Sequence, residues 1–129
     1  MPSSVHLYFV DFDDSMRTSF SRLMRASGIK ATMYRTPEQF LSDTGHDAVG
    51  CVVLDFPVDE AISPQLQTRF QQSGPNLPMI GVSARDNDGM RESARALGAR
   101  FFLRKPVDDK ALLDAIFWVL EQHPECPAP

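Results

Sequence analysis

Five short apolar segments alternate along the chain with longer segments in which apolar residues recur every three or four positions. This alternation is typical of βαβ units, whose parallel strands form a sheet with helices on both faces. The predicted strands are residues 6–10, 31–34, 51–54, 79–82 and 100–103, and the predicted helices are residues 15–27, 37–43, 64–72, 88–97 and 108–122. Strands 1, 3 and 4 are almost entirely apolar, which places them in the centre of the sheet. The sequence therefore predicts an α/β fold.

The chain of 129 residues has the length of one domain. We assign residues 1–122 to that domain, and we interpret residues 123–129, which contain three prolines, as a disordered tail or the start of a linker. The net charge of -4 gives no basic surface for nucleic acid. The sequence contains neither an apolar run long enough to span a membrane nor a signal peptide, so we expect a cytoplasmic protein.

Local signals mark the ends of two helices. Thr36 is predicted to be the N-cap of helix 2, with Pro37 at its first position and Gln39 completing a capping box. Gly28 is placed to end helix 1. Either aspartate in front of that helix, Asp13 or Asp14, could serve as its N-cap.

Polar side chains follow four of the predicted strands. They are Asp11, Asp13 and Asp14 after strand 1, Asp55 after strand 3, Ser83 after strand 4 and Lys105 after strand 5. In an open parallel sheet, ligands bind outside the carboxyl ends of the strands. Close carboxylates suit a hard cation such as Mg²⁺, and lysine and serine supply hydrogen-bond donors to phosphate oxygens. The combination predicts a site for a cation and a phosphoryl group, although each residue alone also has an ordinary structural explanation.

The order of these residues resembles that of response-regulator receivers, especially those of FixJ-like transcriptional regulators. The resemblance covers about residues 5–121, and it rests on Val10-Asp11, Val53-Leu54-Asp55, Pro78, Val82-Ser83-Ala84 and, most specifically, the segment from Gly98 to Pro106. It implies a doubly wound, flavodoxin-like sheet of five parallel strands in the order 2-1-3-4-5. Helices 1 and 5 would cover one face, and helices 2, 3 and 4 the other.

The resemblance also implies a function in a two-component phosphorelay, as a signalling domain and not an enzyme. Asp55 would accept a phosphoryl group from a histidine kinase or a phosphotransfer protein, and Asp11 would belong to the acid cluster around Mg²⁺. Ser83 would be the switch hydroxyl and Lys105 the partner of the phosphate. Phe102 would be the aromatic residue that changes rotamer, and output partners would dock on the face formed by helix 4, strand 5 and helix 5. A phosphorylation-dependent homodimer is a further expectation.

Three departures from the receiver pattern surround Asp55. Phe12 stands where the family has its second acid, and Pro57 occupies the site whose backbone carbonyl ligates the metal. The following residues, 58–63, lack the usual proline and glycine. If the chain stays extended after strand 1, Asp13 points to the same side as Asp11 and is a candidate replacement ligand. We therefore expect a weak Mg²⁺ site formed by Asp11, Asp55 and the Pro57 carbonyl, with Asp13 as the candidate additional ligand.

Two alternatives compete with a phosphorylated receiver. The loss of an acid at Phe12 is compatible with a degenerate receiver that binds partners without regulated phosphorylation. The segment from Tyr8 to Ser15 also resembles the Asp-x-Asp motif of haloacid-dehalogenase-type phosphatases, in which Asp11 would be the nucleophile and Asp13 the general acid. Against the phosphatase, the chain has no insert that could cap a substrate pocket.

Overall fold

The computed structural model describes residues 6–44, 50–56, 64–73, 78–84 and 88–121. Within these ranges the strands are β1 (His6–Val10), β2 (Lys30–Tyr34), β3 (Gly50–Asp55), β4 (Met79–Ser83) and β5 (Ala99–Arg104). The helices are α1 (Asp14–Ala26), α2 (Pro37–Thr44), α3 (Pro64–Ser73), α4 (Asp88–Ala96) and α5 (Asp109–Glu121). Pro57, the loop 58–63 and the Pro-rich segment 123–129 lie outside the described residues.

The five strands form one parallel sheet in the order β2-β1-β3-β4-β5, so the predicted doubly wound, flavodoxin-like topology is confirmed. The apolar strands β1, β3 and β4 are central, as their composition predicted. Val10 is paired with Leu54, and Asp55 is paired with Val82. This register brings the carboxyl ends of the central strands to one edge of the sheet, where the polar residues of the sequence meet.

Two hydrophobic clusters cover the two faces of the sheet. One packs Phe20 and Met24 of α1 and Leu112, Ala115, Ile116 and Val119 of α5 against the strands. The other packs Phe40 and Leu41 of α2, Phe70 of α3 and Ala94 and Leu97 of the α4 region against the opposite face. The division of the helices is the predicted one. The longest described helices have 13 residues, too few to cross a bilayer that needs about 20.

The local signals at the helix ends act as predicted, with one difference in the capping box. The Gln39 N–H donates to Oγ1 of Thr36 at 3.1 Å. The Gln39 side chain accepts from the N–H of Arg35 at 3.2 Å, one residue before the N-cap. Gly28 has φ of 72°, the left-handed conformation in which glycine ends a helix without strain. Two turns next to the sheet are therefore fixed by short-range interactions.

Candidate functional site

The candidate site lies at the carboxyl edge of the sheet, where each functional residue is held by a different strand. Asp55 is the last residue of β3, Ser83 is the last residue of β4, and Asp11 directly follows β1. Lys105 directly follows β5, and its backbone N–H donates to the Ser83 carbonyl at 2.8 Å. The structure therefore brings together the four residues that the sequence placed at strand ends.

Lys105 joins the two acids of this edge, Asp11 and Asp55. Its Nζ lies 2.8 Å from Oδ2 of Asp11 and 2.9 Å from Oδ1 of Asp55. The side chains are 16%, 1% and 14% exposed, respectively, so the three charges sit in a region largely screened from water. Two carboxylates packed together would repel each other strongly without this ammonium group.

The pKa values of the central pair follow from burial and from this bridge. Burial raises the pKa of Asp55 above its usual value, and the negative charge of Asp11 raises it further, against the opposing hydrogen bond from Lys105. Burial lowers the pKa of Lys105, but its hydrogen bonds to Asp11 and Asp55 more than compensate, so the pKa is raised. Lys105 therefore carries a positive charge at neutral pH.

The segment between β1 and α1 is held by hydrogen bonds within itself. Oδ1 of Asp11 accepts from the Asp13 N–H at 2.9 Å, and the Asp11 carbonyl accepts from Arg17 at 2.7 Å. Arg17 also forms an ion pair with Asp14 in the first turn of α1. Oδ1 of Asp13 accepts from the N–H groups of Ser15 and Met16, so Asp13 is the N-cap of α1. Phe12 lies between the two aspartates with 48% of its surface exposed.

On the opposite side of Asp55, Ser83 and Phe102 are linked through Phe56. The fully buried Ser83 hydroxyl donates to the Phe56 carbonyl at 3.0 Å. The Phe56 ring meets the Phe102 ring edge to face, with centroids 6.2 Å apart. Gly81 makes room for both rings, because a Cβ at this position would lie 3.0 Å from one and 3.1 Å from the other. The guanidinium of Arg91 lies 5.7 Å from the centre of the Phe102 ring.

The family is established by comparison with known proteins. Residues 7–117 match the response regulator receiver domain family. The chain belongs to this family. Neither the degenerate receiver nor the phosphatase alternative is favoured.

The receiver is similar to several complete response regulators. It is 30% identical to the response regulator protein TmoT of Ectopseudomonas mendocina over 92% of this chain and 54% of that protein. It is 28% identical to the transcriptional regulatory protein FixJ of Azorhizobium caulinodans over 90% of this chain and 55% of that protein. The structure of the response regulator StyR superimposes with a TM-score of 0.80 at 29% identity, over 95% of this chain and 62% of that one. The chain spans about half the length of the curated relatives it matches.

Receivers generally bind Mg²⁺ at this edge, but the described residues of this receiver do not form a complete ligand set. Within the described ranges, no three Asp, Glu, His or Cys side chains are grouped so as to hold a metal ion. Phe12 offers no ligand, Asp13 is engaged as a helix cap, and both oxygens of Asp11 already accept hydrogen bonds. Pro57, whose carbonyl was the remaining candidate, lies outside the described residues.

Sequence reasoning missed two residues of this receiver that connect the site to its surroundings. Phe56 accepts from Ser83 and contacts Phe102, and Arg91 lies over the Phe102 ring from α4. The position of Phe56 directly after Asp55, at the end of β3, was the only available signal. For Arg91 the sequence carried no signal.

Proposed function

We propose that Asp55 is the phosphoacceptor of this receiver. The observation that carries the proposal is the ammonium group of Lys105, which lies 2.9 Å from Asp55 at the end of the central strand. A lysine in this position neutralises a carboxylate nucleophile and offers a donor to phosphoryl oxygens. Ser83 lies on the neighbouring strand and supplies the hydroxyl, so Asp55 is the carboxylate with both partners at hand. The protein partner that donates the phosphoryl group is a histidine kinase or a phosphotransfer protein.

Labelling with acetyl phosphate tests this assignment. Mass spectrometry of the intact protein should find one added phosphoryl group, and peptide mapping should place it on Asp55. Asp55→Asn should abolish the label, because an amide oxygen is a poor nucleophile. Asp88→Asn, the same change at an exposed position of α4, should leave it intact. Unchanged labelling of Asp55→Asn would reject the phosphoacceptor.

We also propose that Mg²⁺ binds this receiver weakly, through Asp11, Asp55 and the Pro57 carbonyl. The exposed Phe12 ring replaces a carboxylate, and the loss of one charged ligand lowers the affinity for a divalent cation. Asp13 stays a candidate ligand through the carboxylate oxygen that does not cap α1. Beyond accepting the phosphoryl group, the domain at most assists its own phosphorylation and dephosphorylation.

The output face that we propose is formed by α4, β5 and α5. Phe102 of β5 reaches Ser83 through Phe56, so a hydroxyl drawn toward a phosphate would leave the Phe56 carbonyl and loosen the packing around Phe102. Trp118 of α5 lies edge to face on Phe101 of β5 and is 46% exposed, which offers an aromatic contact to a partner on the same face. The partner is an output domain or protein, or a second phosphorylated copy in a homodimer.

Amide hydrogen exchange tests the coupling between the site and this face. Binding of beryllofluoride, a mimic of aspartyl phosphate, should change exchange in residues 84–104, because a two-state shift alters the packing of α4 and β5. Residues of β2, the strand at the opposite edge of the sheet from β5, serve as the internal reference. A protected segment 84–104 that does not respond to the mimic would favour a receiver that acts without phosphorylation.

A further inference from the structure

Both oxygens of Asp11 are already engaged by donors of the chain. Its side chain is 1% exposed, and each of its oxygens already accepts a hydrogen bond, Oδ1 from the Asp13 N–H at 2.9 Å and Oδ2 from Lys105 at 2.8 Å. A metal ion that used either oxygen would have to share it or break one of these bonds. The first acid of the receiver pattern is therefore bound to the chain itself.

Neither of the two residues that follow Asp11 offers a carboxylate that is free of other contacts. Phe12 has no ligand atom, and Oδ1 of Asp13 accepts from two N–H groups at the start of α1. Losing that acceptor would leave N–H groups of the first turn without their cap. The segment from Asp11 to Asp13 is therefore held by hydrogen bonds at the start of the helix.

Lys105 already supplies positive charge to the pocket. It lies between Asp11 and Asp55, and these three groups together carry one net negative charge. An ammonium group has three N–H donors, of which these two contacts use two. The third is available to a phosphoryl oxygen. A second acid at position 12 would raise the net negative charge of this group from one to two.

We infer that Lys105 is the resident counter-charge of this receiver and that Asp55 accepts a phosphoryl group without a divalent cation. The inference rests on the proposed function of Asp55. With acetyl phosphate, a carboxylate oxygen of Asp55 forms a bond to phosphorus while the bond from phosphorus to the acetate oxygen breaks. Acetate leaves with the electron pair, no proton is transferred, and nothing is oxidised or reduced. The Nζ of Lys105 donates a hydrogen bond to a phosphoryl oxygen and offsets part of its negative charge.

Rates of labelling by acetyl phosphate in EDTA and in Mg²⁺ test this inference. The wild type should be labelled at the same rate in both. Phe12→Asp should become about tenfold or more faster in Mg²⁺ than in EDTA, because the restored acid makes the site dependent on the metal. Phe12→Asn, which has the size of the aspartate without its charge, should show the wild-type ratio. Lys105→Met should lose labelling in EDTA.

The outcomes separate this inference from the proposed function. A wild type labelled on Asp55 only in Mg²⁺ would overturn the inference and leave the phosphoacceptor in place. A protein that is unlabelled in every condition would overturn both.

A second measurement does not depend on labelling. The ¹⁵N chemical shift of the Lys105 ammonium should saturate at a Mg²⁺ concentration about tenfold or more higher in the wild type than in Phe12→Asp. Saturation of both proteins at the same Mg²⁺ concentration would mean that the metal binds next to Lys105 without the acid at position 12, which would overturn the inference.

Discussion

The two sides of Asp55 differ in how closely they follow the receiver pattern. Toward β4 and β5, the chain has the serine and the lysine of the receiver pattern, Ser83 and Lys105. Toward β1, Phe12 with its half-exposed ring stands where the receiver pattern has its second acid, and Asp13 caps α1. The phosphate-binding and metal-binding parts that we propose therefore lie on different sides of Asp55. Lys105 contacts the acid on each side of the gap, Asp11 and Asp55.

The largest effect is expected from removing the cation that joins the two sides. Lys105→Met would leave Asp11 and Asp55 facing each other in a buried setting, which should lower the free energy of unfolding by about 3 kcal/mol at neutral pH. Urea unfolding followed by circular dichroism measures it. Lys110→Met removes a lysine whose ion pair with Asp114 is exposed, and it should show no measurable loss. Equal effects of the two changes would contradict the central role of Lys105.

The second prediction concerns the altered side alone. Phe12→Asp should raise the affinity for Mg²⁺ about tenfold, which corresponds to ~1.4 kcal/mol, because it restores a charged ligand at the rim. Calorimetric titration measures the change. Phe117→Asp adds the same charge at another exposed aromatic position, on α5, and should not alter the affinity. If the wild type and Phe12→Asp bind equally well, the missing acid was never limiting.

These two predictions depend on parts of the molecule that the sequence revealed to different degrees. The central place of β1, β3 and β4 and the meeting of Asp11, Asp55 and Lys105 followed from the sequence, because buried parallel strands are continuous apolar runs and their ends meet at one edge. The full strand order followed from the resemblance to receivers. The link from Ser83 through Phe56 did not, since the two residues are 27 positions apart and meet only through the packing of β3 on β4.

Asp13 shows a different limit of sequence reasoning. An extended backbone after β1 was the condition under which its side chain would join Asp11, and its φ of -84° and ψ of 119° are indeed extended. An N-cap residue has this same backbone conformation, so the condition was equally compatible with capping. Only the positions of the N–H groups of α1 distinguish the two roles.

The third prediction separates the charge of Asp13 from its capping oxygen. Asp13→Ala should lower the free energy of unfolding by about 1 kcal/mol, whereas Asp13→Asn should cost much less, because asparagine is also a good N-cap. Thermal unfolding measures both. A Mg²⁺ titration of the same variants tests the ligand role: weaker binding in both would make Asp13 a ligand in addition to a cap. Equal stability of Asp13→Ala and the wild type would contradict the capping role.

The smallest effect is expected from the pH dependence of Asp55, the residue that the two sides share. Folding raises the pKa of Asp55, mainly through burial, so the folded protein holds this proton more tightly than the unfolded chain does. Its contribution to stability is therefore complete in acid, below the unfolded pKa, and is lost as the pH rises through the folded pKa. Asp55→Asn cannot ionise, so it should be more stable than the wild type at neutral pH, and the difference should shrink toward zero in acid. Unfolding of both proteins across this pH range measures it. A difference that instead grows in acid would mean that Lys105 stabilises the carboxylate by more than burial destabilises it.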